Sequence, residues 1–106
     1  MTRRMYRYEV PVDGEPHALY LTGDPVAVAA AGSFDAGGYL VEFWAEHHQG
    51  RRDARRVFQA IGTGHPIPDG AVWRGTCTRL DTLVWHLYEL PPIVTTDGTA
   101  AAGGTW

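Results

Sequence analysis

Apolar and polar residues alternate along most of the first ninety positions, and this two-residue period is typical of β-strands that bury one face. Seven segments carry the pattern or a short apolar run. They are Tyr6 to Val12, Leu19 to Leu21, Val26 to Ala31, Val41 to Ala45, Ala54 to Ile61, Ala71 to Thr78 and Thr82 to Leu90. Turn-forming residues such as Asp13-Gly14 separate these segments.

Seven short strands at close spacing predict an all-β fold, either a compact antiparallel β-sandwich or a small barrel. Both faces of the segment from Thr82 to Leu90 are apolar, which indicates a central strand or one buried on both sides. In two segments a helix is an alternative to the strand. The alanines of Val26 to Ala31 would suit a helical turn, and Glu46 to Phe58 could be helical although Gly50 interrupts it.

A chain of 106 residues has the length of one domain. We expect a single β domain over residues 1–90 and a flexible Pro/Gly/Ala-rich tail over residues 91–106. The tail ends in Trp106, whose large apolar ring either anchors it in a pocket or is a chance terminal residue.

The formal net charge is −3 and 44% of the residues are hydrophobic. These values exclude a disordered chain and a strongly basic nucleic-acid arm, so non-specific nucleic-acid binding is not expected. No apolar run approaches the ~18 residues of a membrane span, and no secretory signal is visible. With one cysteine, Cys77, no internal disulfide can form. We therefore expect a soluble cytoplasmic protein without a membrane partner.

The most distinctive segment runs from Gly62 to Gly70 and reads Gly-Thr-Gly-His-Pro-Ile-Pro-Asp-Gly. Gly62, Thr63 and Gly64 allow a sharp turn whose backbone N–H groups can hold an anion, and His65 adds a proton donor or acceptor. The segment is not a nucleotide-binding P-loop, since no lysine and no helix follow. The alternative is a rigid connection in which glycine and proline only shape the backbone.

Arginines and tryptophans could extend this loop into a binding surface. Arg55 and Arg56 belong to a cluster that starts at Arg51, and Arg with exposed aromatic rings can bind phosphates and stack bases. Trp44 and Trp73 are the candidate rings. The alternative is a solvated cluster with ordinary surface ion pairs.

Catalytic and metal-binding motifs are weak. The five histidines lack the spacing of a zinc site, so no metal and no cofactor are expected. Cys77 alternates in step with Gly75 and Trp73, which indicates a small buried apolar residue on their face rather than a nucleophile. A small hydrolase that uses His65 with an acidic partner such as Asp69 stays open.

The run from Phe58 to Ile67, Phe-Gln-Ala-Ile-Gly-Thr-Gly-His-Pro-Ile, resembles the signature of an uncharacterised family of small proteins from tailed phages, prophages and some bacteria. The Tyr-rich start from Met5 to Val12, the middle strand Phe43-Trp44-Ala45 and the end from Leu83 to Glu89 resemble it as well. The resemblance covers roughly residues 4 to 89. It implies a shared scaffold and a phage setting, but it assigns no catalytic residue.

Three hypotheses follow. The first is a non-enzymatic binding module, able to form a homo-oligomer, that sequesters a small anionic, nucleotide-like ligand or binds a host protein. Its ligand site would contain Gly62, Thr63, Gly64, His65, Arg55, Arg56, Trp44 and Trp73. The second is a structural or virion accessory protein that assembles through the same fold. The third is the small hydrolase that uses His65. We favour a non-enzymatic role over this hydrolase.

Overall fold

The computed structural model describes residues 2–33, 37–79 and 82–92. These residues form seven β-strands: β1 (Arg3–Pro11), β2 (His17–Leu21), β3 (Pro25–Ser33), β4 (Gly38–His48), β5 (Ala54–Gly62), β6 (Val72–Arg79) and β7 (Leu83–Leu90). The predicted all-β class is confirmed. Within the described ranges, no helix has the length and apolar character needed to cross a membrane.

The strands form two antiparallel sheets. One has three strands in the order β1-β4-β3, and the other has four in the order β2-β5-β7-β6. The expected central position of β7 is confirmed, since it pairs with β5 on one side and β6 on the other. β3 lies against β6 and β1 approaches β5, so β2 is left on the β1 side of the molecule.

The core lies between the two sheets and is built by alternation along each strand. In β4, Val41, Phe43 and Ala45 are buried, as their spacing predicts. Phe43 meets Phe58 of the other sheet with ring centroids 4.9 Å apart, and Tyr8 stacks on Phe43 at 5.2 Å. Such aromatic pairs add to the free energy gained from apolar burial.

A charged cluster closes one end of the core. The Glu89 carboxylate accepts hydrogen bonds from Arg56 Nε and Nη2 at 2.7 and 2.6 Å, and from Arg74 Nη2 at 2.7 Å. Arg56 also bonds the Gly23 carbonyl and the Asp24 carboxylate. Burial opposes ionisation of Glu89, but the bonds from the two arginines outweigh it and hold its pKa below the ordinary value.

A bulge in β6 corrects one detail of the sequence interpretation. The register of β6 on β7 shifts between Trp73 and Gly75. The extra residue breaks the alternation, so Trp73 lies on the outer face and is 58% exposed while Cys77 is buried. The expectation that Trp73 and Cys77 share one face is therefore wrong, because a strict period of two cannot reveal a bulge.

The two segments with a helical alternative are strands. Val26 to Ala31 lies inside β3, and Glu46 to Phe58 contains the end of β4 and the first half of β5. The proposed anchoring of the tail by Trp106 falls outside the described residues, as does most of the tail.

Candidate functional site

The Gly62–Gly70 segment follows β5 and turns back over the outer face of the four-stranded sheet. Its first turn is closed by the His65 backbone N–H, which donates to the Gly62 carbonyl at 3.1 Å. Gly64 has φ of +87°, a left-handed conformation that favours glycine. The second glycine of the motif is therefore required by the backbone of the turn.

The turn forms one wall of a shallow cavity of about 140 Å³, which we call the loop hollow. Strand alternation supplies its floor: Trp85 and Leu87 face the core, so His86 and Tyr88, which alternate with them, face outward. The complete lining comprises Ile61, Gly62, Thr63, Gly64, His65, Ile67, His86 and Tyr88.

Hydroxyl groups hold the ring of His86 on both sides. Thr63 Oγ1 lies 3.0 Å from His86 Nε2, and Thr76 Oγ1 lies 2.9 Å from His86 Nδ1. The indole N–H of Trp73 donates to Thr76 Oγ1 at 3.0 Å. This chain of bonds fixes the imidazole on the sheet surface and connects the turn to the exposed Trp73 ring.

A second cavity, of about 420 Å³, lies on the other side of the same turn. It shares Gly62, Thr63 and His65 with the loop hollow and continues along Thr82 to Trp85. The Gly-Thr-Gly-His turn is thus a ridge between two depressions. A ligand that spans both would contact the turn from two sides.

The structure brings together five of the eight predicted site residues. Gly62, Thr63, Gly64 and His65 all line the loop hollow, and Trp73 joins it through the bonds of Thr76.

The other three predicted residues lie elsewhere. The guanidinium of Arg56 is engaged by Glu89 at the end of the core, and Arg55 lines a different cavity beside it. Trp44 lies on the outer face of the three-stranded sheet, opposite Arg7 and Ala27. Neighbouring residues of a strand point to opposite faces, so Arg55 and Arg56 cannot both face the turn. The position of Trp44 depends on which sheet β4 joins.

Sequence reasoning did not place His86, Tyr88 or Thr76 in the ligand site. The alternation of β7 indicated that His86 and Tyr88 share one face. The pairing of β5 and β6 with β7 brings Thr63 and Thr76 to His86, and this register is not written in the local pattern.

The described residues around His86 form neither a metal site nor a catalytic pair of histidine and carboxylate. In residues 2–33, 37–79 and 82–92, no three His, Cys, Asp or Glu side chains lie close enough to hold a metal ion. The ring nitrogens of His86 contact two neutral hydroxyls, and a hydroxyl stabilises an imidazolium less than a carboxylate does.

The model of a protein family described as Domain of unknown function (DUF7352) matches residues 1–96. The chain belongs to this family. The expected membership of an uncharacterised family is therefore confirmed, and the DUF7352 match extends beyond Glu89, where the resemblance in the sequence ended. Neither the curated proteins nor the solved structures contain a match to the chain.

Proposed function

We propose that this DUF7352 protein is a non-enzymatic binding module that holds a small anionic, nucleotide-like ligand at the loop hollow. The observation that carries the proposal is the convergence of the Gly62–His65 turn with His86 and Tyr88 in one cavity. Residues from two strands and a loop meet there, although they are far apart in the sequence.

Two kinds of group favour such a ligand. Backbone N–H groups of a glycine-rich turn can bind a phosphate, and His65 and His86 add positive charge when they are protonated. The rings of Tyr88 and the exposed Trp73 offer surfaces on which a base can stack. At about 140 Å³ the loop hollow is smaller than the ~300 Å³ of the smallest typical ligand pockets. It therefore takes one group of the ligand, and the rest lies across the sheet.

Arginine does not take the role in the site that the sequence suggested. Among the residues that the structure describes, neither of the two cavities beside the turn has an arginine in its lining. Recognition of the anion then depends on backbone amides and imidazoles. The phage resemblance supplies the setting of the proposal, a cytoplasmic phage-encoded protein that sequesters a host nucleotide. A host protein as the ligand is the alternative occupant of this surface.

For the hydrolase hypothesis, the histidine next to a hydroxyl group is His86 and not the expected His65. The hypothesis paired His65 with Asp69, whereas in the structure Thr63 Oγ1 lies 3.0 Å from His86 Nε2. This contact would be the starting geometry for a hydroxyl nucleophile and its base. The partner on the far side of the ring is the Thr76 hydroxyl, which orients His86 without supplying charge. Binding is therefore the function that this geometry favours.

The test is a titration of the ¹⁵N-labelled protein with adenosine monophosphate, adenosine and inorganic phosphate, followed by amide chemical shifts at pH 6. We expect adenosine monophosphate to shift the amides of residues 62–65 and the indole N–H of Trp73. Thr63→Val and His86→Phe should each weaken its binding by about tenfold, which corresponds to ~1.4 kcal/mol.

Thr78→Val is the matched control, because Thr78 lies on β6 two residues beyond Thr76 and lines neither cavity. It should leave the affinity unchanged. A shift with adenosine alone would reduce the site to a ring-binding surface. No shift with any of the three compounds at millimolar concentration, or equal affinity in Thr63→Val, would remove the proposal.

A further inference from the structure

β1 is an edge strand, and the direction of its backbone groups can be read from the pairing with β4. Paired residue numbers in β1 and β4 always add up to 51, from Arg3 with His48 to Pro11 with Leu40. Beyond the two ends of β1, the Val12 N–H donates to the Tyr39 carbonyl and the Gln49 N–H donates to the Thr2 carbonyl. Hydrogen-bonded pairs alternate in an antiparallel ladder, so the even-numbered residues of β1 bond to β4.

The odd-numbered residues therefore direct their backbone N–H and C=O groups away from the sheet. These residues are Arg3, Met5, Arg7 and Glu9, and Pro11 adds only a carbonyl. Within the described part of the chain they form a free edge about 26 Å long at ~3.3 Å per residue. An edge of this kind is a template for another strand, which recognises it through the main chain.

β1 carries three arginines and one glutamate, Glu9. Arg3 is paired with Glu46 at 3.2 Å, and Arg7 is paired with Glu42 at 3.3 Å and with Glu9 at 3.9 Å, so the charge of these two arginines is compensated. Arg4 has no ion pair within the described part of the chain, and it lines cavities on both faces of the strand. An added segment with acidic side chains would complement this charge.

The cavity on the core-facing side of β1, which we call the edge hollow, has a volume of about 220 Å³. It is lined by Thr2, Arg4, Tyr6, His47 and Gln49. The rings of Tyr6 and His47 stack with centroids 4.9 Å apart, which makes a flat wall in the cavity that Arg4 also lines. A carboxylate of a bound strand would find one cation and several polar groups here. The cavity on the other face, of about 410 Å³, is lined by Arg3, Arg4, Met5 and Glu46.

We propose that the free edge of β1 binds an extended acidic peptide segment, which adds a fourth strand to the three-stranded sheet and places a carboxylate in the edge hollow. The strand order provides the space: the four-stranded sheet has one strand more, β2, and β2 lies on the β1 side. An added strand thus has β2 beneath it. The exposed side chains of Met5 and Tyr6 would be covered as well.

A second copy of the chain fits this edge less well than a peptide. Antiparallel pairing of β1 with β1 of another copy requires a two-fold axis perpendicular to the sheet, so both four-stranded sheets would lie on the same side of the joined sheet. The other copy's β5 would then occupy the space of β2. A single extended segment avoids this collision.

The probe is a fluorescein-labelled peptide with the sequence Thr-Glu-Val-Glu-Val-Glu-Thr, measured by fluorescence anisotropy on the full-length protein. Binding should be lost when lysine replaces glutamate, and also when alternate backbone nitrogens carry a methyl group. Arg4→Glu should weaken binding by about tenfold or more. Arg52→Glu makes the same change in charge at a residue outside both cavities and should have little effect.

Amide hydrogen exchange separates strand addition from a purely electrostatic contact. On binding, the amides of Met5, Arg7 and Glu9 should become protected, while those of Tyr6 and Tyr8, already bonded to β4, should change little. Equal binding of the methylated peptide, equal binding of the lysine peptide, or protection without this odd–even pattern would overturn the proposal. So would a dimer in sedimentation that dissociates in Arg4→Glu, since the edge would then be an interface between copies.

Discussion

Val28 of β3 packs directly against Gly75 of β6, so that a methyl group added at Gly75 would overlap Val28 Cγ2. This contact joins the two sheets along the side where β3 and β6 meet. Gly75 stands at the β6 bulge, directly after the register shift. Glycine is needed here for space, since its φ is not in the left-handed region.

Gly75→Ala should therefore destabilise the protein by about 2 kcal/mol, the ordinary cost of overpacking. Shortening the opposing side chain should recover part of the loss, so Gly75→Ala with Val28→Ala should be more stable than the two separate effects predict. Urea unfolding of the four proteins in a double-mutant cycle measures the coupling. Strict additivity would show that the two residues are not in contact.

The Glu89 cluster should make folding stability dependent on acid. The pKa of Glu89 is lowered in the folded state, so its contribution is present above the ordinary glutamate pKa of about 4.3 and is lost as the pH falls through the folded value. Glu89→Gln leaves Arg56 and Arg74 without their shared carboxylate, and we expect a loss of about 3 kcal/mol at pH 7.

The difference between Glu89→Gln and the wild type should shrink in urea unfolding at pH 3. Glu15→Gln serves as the control, since Glu15 is exposed in the β1–β2 turn and should change the stability little. A difference that stays constant from pH 7 to pH 3 would contradict the role of the ionised carboxylate.

Cys77 should be chemically silent in the folded protein. Its side chain is buried, with 7% of the residue exposed, and burial raises the pKa of the thiol. Both effects suppress the thiolate that reacts with disulfide reagents. Labelling by Ellman's reagent at pH 8 should follow the unfolding curve in urea. Reaction without denaturant at the rate of the unfolded chain would show that β6 opens locally.

The hydroxyl bonds around His86 should be visible in the indole signal of Trp73. Thr76→Val removes the acceptor of the Trp73 indole N–H and one partner of His86, so the indole resonance should move and the protein should lose about 1 kcal/mol. Thr63→Val removes the bond on the far side of the ring and should leave the indole signal nearly in place. Equal shifts of the indole resonance in the two variants would contradict the observed series of hydrogen bonds from Thr63 through His86 and Thr76 to Trp73.

Most of the fold is encoded in local alternation, and the sequence predicted it for that reason. The buried set Val41, Phe43 and Ala45 follows from a period of two alone, as does the outward direction of His86. The bulge after Trp73 does not, because one extra residue becomes visible only when the partner strand is known. Sheet membership is also non-local, and it separates Trp44 from the loop.

Only the contiguous part of the candidate site could be predicted from the sequence, since the rest depends on contacts between strands. A turn motif is contiguous, so Gly62 to His65 could be recognised from its residue types. The groups that complete the cavity come from other strands through register. Arg56 looked like a free cation in the sequence, and its engagement by Glu89 depends on a pairing between β5 and β7.

The strand order also determines when the first two strands, β1 and β2, can pair. Among the seven described strands, β1 pairs only with β4 and β2 pairs only with β5. During synthesis, β1 has no partner strand until residues 38–48 have been made, and β2 waits for residues 54–62. Folding must therefore close long loops before the first strands gain hydrogen bonds, which places this protein among the slower small domains, on the order of milliseconds to seconds. Until then, the arginines of β1 are the groups that discourage its exposed backbone from pairing with a neighbouring chain.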